Sequence, residues 1–208
     1  MQSQNHDPHV KPTRILDLRP TQITVGMREV ADKRRRWRRE HGKRASEFLG
    51  RHMIPIVIGP KDRPYVIDHH HLALALHQEG VEHVLTTTVA DFSHLAKDAF
   101  WVVLDNRGLT HPFDATGKRC GYGDIPASIG GLIDDPYRSL AGALRRVGGY
   151  AKDTAPFSEF LWADFLRRHI KQAAVDKNFE RALKQARAFA RKPAASYLPG
   201  WCGPVTDD

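Results

Sequence analysis

A chain of 208 residues, 41% hydrophobic and with a net charge of +8, has the length of one domain, or one domain with an appendage, and enough apolar residues to exclude global disorder. No apolar run approaches the roughly 18 residues of a membrane span, which excludes an integral membrane protein. The basic balance, with a pI near 9.7, favours anionic partners such as phosphates or nucleic acid; the plainer alternative is a basic surface that only aids solubility.

In chain order, residues 1–13 read as a loose tail, because Met1 to His9 is polar and lacks the apolar core of a secretory signal. Arg14–Leu18 alternates as a short strand, and Arg19-Pro20-Thr21-Gln22 turns out of it. From Met27 to about Leu49 a helix is predicted, with Val30, Trp37 and Phe48 on one face, Ala31 and Ala45 beside them, and Gly42 as a breaking or bending point. Ile54–Ile58 and Tyr65–Ile67 form a hairpin around the turn at 59–64. Asp68 is expected to cap a helix that runs to about Glu79 and ends at Gly80. His83–Val89 is a further strand, and Ser93–Leu104 a helix with a buried end. Asn106–Asp124 is glycine-rich and irregular, three helices follow at 137–147, 157–170 and 179–191, and 193–208 is a second loose tail. The expected architecture is α/β (α+β): a small mixed-sheet unit over 14–105, then a helical region over 106–192. Cys120 and Cys202 form no CxxC pair and read as plain thiols of a reducing, cytoplasmic protein.

The densest chemistry is Tyr65-Val66-Ile67-Asp68-His69-His70-His71. A strand entering a helix through a tight turn aims the helix's first free N–H groups and its dipole at one spot, a ready anion site. Three successive imidazoles point in different directions, so all three cannot bind one metal. One or two could donate to a phosphate or shuttle a proton, and Asp68 could act as base or bind a cation. Against this, Asp68 could be only a helix cap.

Lys33-Arg34-Arg35-Arg36-Trp37-Arg38-Arg39 is the strongest charge cluster. Its functional reading is a phosphate or nucleic-acid contact through Arg35, Arg36 and Arg39; the bland one is a solvated helix face. Asp134-Asp135-Pro136 opens a helix, and Asp134, Asp135 and Arg138 are expected to hold one another or close over the site. Phe157, Phe160, Trp162 and Phe165 read as core aromatics.

Leu18-Arg19-Pro20-Thr21-Gln22 with Gly26, and Tyr65 to His71 with the following Leu72–Leu76 helix, resemble the two opening boxes of the ParB/sulfiredoxin superfamily. More narrowly, Asp135 to Gly142, Gly148-Gly149-Tyr150 and Phe157 to Ala163 are similar to the group of ParB-like nucleases. The resemblance spans roughly 14–170 and implies a nucleotide or phosphate cradle at the second box. Among the superfamily's activities, sulfinic-acid reduction is excluded because His70 stands at the cysteine position. His69 replaces the usual glycine and Leu72 the box's arginine, and Gln22 stands where related kinases have glutamate. The reading is a phosphate-ester enzyme, nominally a nuclease, with Asp68, His70 and His71 catalytic. His69, Gln22, Thr24, Lys33 and Arg138 are expected to bind phosphate or nucleotide, with a divalent metal (at Asp68 and His70) or a nucleotide as cofactor. The alternatives are a nucleotide-dependent small-molecule kinase and a non-catalytic nucleotide- or DNA-binding module.

Overall fold

The computed structural model describes residues 10–204, with 41–45 described in backbone only. The polar stretch 1–9, Ala45 as a face residue, and the end of the expected tail, 205–208, lie outside those descriptions. The chain forms two compact units: one runs to Ile23 and includes Val30–Phe113 and Arg119–Leu132; the other takes Thr24–Glu29, Asp114–Lys118 and the chain from Ile133 on.

The first unit is built on a five-stranded mixed sheet of order β1-β6-β4-β5-β2. Its strands are β1 (Val10–Arg14), β2 (Arg19–Pro20), β4 (Ile54–Gly59), β5 (Arg63–Val66) and β6 (His83–Asp91); β3 (Thr24–Val25) belongs to the other unit. β4 pairs antiparallel with β5 and parallel with β6, so α2 (His70–Gln78) is the crossover between β5 and β6. The hairpin loop turns through two consecutive left-handed residues, Lys61 and Asp62. Strand β1 occupies part of the expected tail, and the expected strand at 14–18 is instead a 3₁₀ turn over Ile15–Asp17. The reason is spacing: Ile15 and Leu18 are buried while Leu16 is exposed, a period of three rather than two. Arg19–Pro20 is likewise no mere turn, because it pairs parallel with Tyr65–Val66.

Helix α1 (Met27–Arg51) passes through Gly42 without ending, and it buries Val30, Trp37 and Phe48 as expected. Helix α3 begins at Lys97 rather than Ser93 and ends at Asn106. Phe100, Trp101 and Leu104 join Val57, Tyr65 and Ile125 in one apolar cluster, whereas Val102 faces out. The irregular stretch after α3 is pinned: Thr110 Oγ1 and His111 N–H both donate to the Thr21 carbonyl, at 2.7 and 2.9 Å.

The second unit packs α4 (Pro136–Arg146), α5 (Ser158–His169), α6 (Gln172–Lys177) and α7 (Phe179–Ala190) around Leu140, Leu144, Trp162, Phe165 and Leu166. The short α6 has no counterpart in the sequence reading. Of the expected core aromatics, Trp162 and Phe165 are fully buried and Phe157 and Phe160 only half so. The segment after 193 is not loose up to its last described residues. Ala195 and Leu198 are buried, the Trp162 indole donates to Pro199 O at 2.8 Å, and Trp201 donates to Ala190 O at 2.8 Å. In this unit β3 pairs parallel with β7 (Ile133–Asp134). The N-terminus of α1 is capped from afar: Asp134 Oδ1 accepts from Met27 N–H at 2.8 Å and Ser139 Oγ from Arg28 N–H at 3.2 Å. No described helix is long and apolar enough to cross a membrane.

Candidate functional site

The corner between β5 and α2 is set by two residues. The Asp68 carboxylate accepts the N–H of His69 at 2.6 Å, and His69 is left-handed, with φ 65° and ψ 24°. The first helical bond, Ala73 N–H to the His69 carbonyl at 2.9 Å, makes His69 the N-cap residue. Asp68 therefore does not cap the helix as expected; the left-handed residue between it and the helix leaves its carboxylate on the nearest N–H instead. A non-glycine residue held in that conformation costs on the order of 1 kcal/mol.

The three imidazoles go to three environments. His70 is buried, and its Nε2 accepts the backbone N–H of Thr21 at 3.1 Å. Burial pushes its pKa down to about 3, against smaller upward pulls from Asp68 and the Val66 carbonyl. His70 is thus a neutral acceptor with its lone pair committed. His71 is also buried, on the helix side of the corner. His69 is exposed, and its Nδ1 lies 3.1 Å from the Met53 carbonyl. A carbonyl only accepts, so Nδ1 is the donor in that bond, and in the neutral ring the lone pair is then on Nε2, 3.9 Å from Asp68 Oδ2. Asp68 is itself well exposed.

Thr21 ties this corner to the rest of the first unit. Besides His70, its hydroxyl donates to Val66 O at 2.8 Å, and its carbonyl receives Thr110 and His111. Its place between Pro20 and Gln22 in the first box is the sequence signal that could have singled it out. Gln22 is buried in an isolated bridge to His111, in the same unit. Lys33 lies half-buried on the same unit's part of α1.

Thr24 and Arg138 belong to the second unit. Arg138 is 5% exposed and pairs with Glu29 and Glu159, with its guanidinium over Phe160. Its guanidinium is thus engaged by two carboxylates and an aromatic face. Of Asp134, Asp135 and Arg138, expected to hold one another, Asp135 accepts the backbone N–H of Arg138 as well as that of Tyr137 at 2.9 Å and pairs with Arg167 at 2.7 Å, while Asp134 caps α1.

The basic run is largely engaged. Arg34 and Arg38 converge on Glu79 at 2.6 and 2.7 Å, and their hydrogen bonds hold its carboxyl down at about 2. Arg35 pairs with Asp32 and Arg36 with Glu40 along the helix, whereas Arg39 is exposed and has no ion pair with a described residue. Among the described residues no group of three or more His, Cys, Asp or Glu converges as a metal site, and His70's commitment to Thr21 removes it as Asp68's partner ligand.

The family described as "Putative ParB-like nuclease" matches residues 11–168. A comparison with curated proteins returns no match. Among solved structures, the crystal structure of protein Atu1540 from Agrobacterium tumefaciens is 57% identical, with a TM-score of 0.90. The match covers 96% of this chain and 100% of that one. With well over half of its length matched, from β1 through nearly all of α5, this chain belongs to the ParB-like nuclease family.

Proposed function

We propose that the protein hydrolyses phosphate esters, with nucleic acid as the natural class of substrate, and that its phosphate sits at the first turn of α2. His69 and Asp68 handle the proton. The observation that carries this reading is the bond between His69 Nδ1 and Met53 O: in the neutral ring it leaves the lone pair on Nε2, in an exposed corner beside the Asp68 carboxylate. Such a base can take a proton from the water attacking phosphorus, and the carboxylate then steadies the imidazolium. The N–H groups of the helix's first turn and its dipole favour the anionic ester. Left-handed strain at His69 fits a functional demand, since glycine would adopt that conformation at no steric cost. His70 and His71, the other imidazoles of the box, support the corner from inside.

The test is a screen of DNA, RNA and bis(4-nitrophenyl) phosphate with several divalent metals. Asp68→Asn and His69→Gln should each lower turnover by about a hundredfold or more while the thermal melt stays put. A wild type without hydrolysis, or a His69→Gln variant at full turnover, would overturn the reading. Binding without catalysis is the alternative of another class. It has less support, because Arg34, Arg35, Arg36 and Arg38 are already paired within the chain.

A further inference from the structure

We infer that the first unit has a second ligand site, at the opposite end of β5 from Asp68, and that it takes a nucleoside phosphate. A cleft of about 300 Å³ opens there, its lining including Arg19, Lys61, Arg63, Lys97, Trp101 and Tyr122. No carboxylate lines it, and none of the four cations has an ion pair with a described residue. By contrast, Arg34 and Arg38 of this unit pair with Glu79, and Arg119 pairs with Asp105. Four unneutralised cations around one concavity create a potential that an anion relieves.

The aromatic part of the lining adds a second requirement. Trp101 is buried, and its indole N–H has no described acceptor, although a buried donor ordinarily finds one. Tyr122 lies parallel to Trp101, with ring centroids 5.7 Å apart. A lining that combines aromatic rings with cations suits a planar ring that carries a phosphate, and the volume is at the small end for a ligand pocket. The site is independent of any hydrolysis at Asp68 and His69.

The test is calorimetric titration of the full chain with adenosine monophosphate, adenosine, inorganic phosphate and a 5′-phosphorylated oligonucleotide. The monophosphate should bind more tightly than phosphate or adenosine. The double change Lys61→Gln and Arg63→Gln should weaken it at least about tenfold with an unchanged melt. Should that double variant misfold, Lys97→Gln decides the matter by the same measure. Tighter binding of the oligonucleotide assigns a strand end as the natural ligand, and equal binding assigns a free nucleotide. Failure of wild type to bind the monophosphate, affinity unchanged by the charge removals, or phosphate alone matching the monophosphate overturns the proposal. Hydrolysis of bis(4-nitrophenyl) phosphate by the same variants reports on the α2 site separately.

Discussion

The Nε2 of His70 accepts the backbone N–H of Thr21 at 3.1 Å, between residues 49 positions apart and both buried. This bond joins the residue that follows β2 to the first turn of α2, beside Asp68 and His69. It also makes the corner sensitive to acid.

His70 is held neutral in the fold, with its pKa lowered from 6.5 to about 3. As pH falls, the unfolded chain takes up this proton first. The stability from this group is therefore complete above about pH 6.5 and erodes toward pH 3, at a slope of up to about 1.4 kcal/mol per pH unit. Denaturant melts should show this slope in wild type and lose it in His70→Gln. His70→Leu, which strands the Thr21 N–H, should cost about 1–3 kcal/mol at neutral pH.

Glu79 governs a second, lower window. Its carboxyl is held at about 2 by the Arg38 and Arg34 hydrogen bonds, so its contribution is present above the ordinary value of 4.5 and is lost as pH falls from 4.5 toward 2. Melts of Glu79→Gln should lack that part of the acid limb and respond less to added salt. An acid limb identical to wild type would mean the cluster does not tie α1 to α2.

Replacing His69 by glycine separates strain from chemistry. Glycine relieves the left-handed backbone but gives up the bond to Met53 O. These effects are each about 1 kcal/mol and opposite in sign, so net stability should change by less than about 1 kcal/mol. Activity against phosphodiesters should fall as far as in His69→Gln. Retained activity in the glycine variant would leave the backbone N–H groups, not the imidazole, as the working parts.

Arg138 is predicted to serve folding rather than ligand binding. Changing it to Leu leaves Glu29 and Glu159 as partly buried carboxylates without it, a loss of about 3 kcal/mol in a chemical melt. Phosphate binding by the folded fraction should be unaltered. A variant with wild-type stability and weakened phosphate binding would return Arg138 to the ligand site.

Local pattern determined much of this protein. Apolar spacing marked α1 from Met27, the β4–β5 hairpin, α2 and the three long later helices, because burial on one face leaves a period that a sequence displays. The two boxes likewise carried the family resemblance, which the family match over residues 11–168 bears out. What local pattern could not encode is partnership. Three adjacent histidines are chemically alike in sequence, and only burial and the contacts from Met53 and Thr21 separate an exposed imidazole from a buried one. The same holds for Arg138, whose partners Glu29 and Glu159 come from other helices. A cap shifted by one left-handed residue and a strand replaced by a 3₁₀ turn also depended on the tertiary fold. An imidazole or a guanidinium takes its role from the groups that reach it, and those groups come from segments far away in the chain.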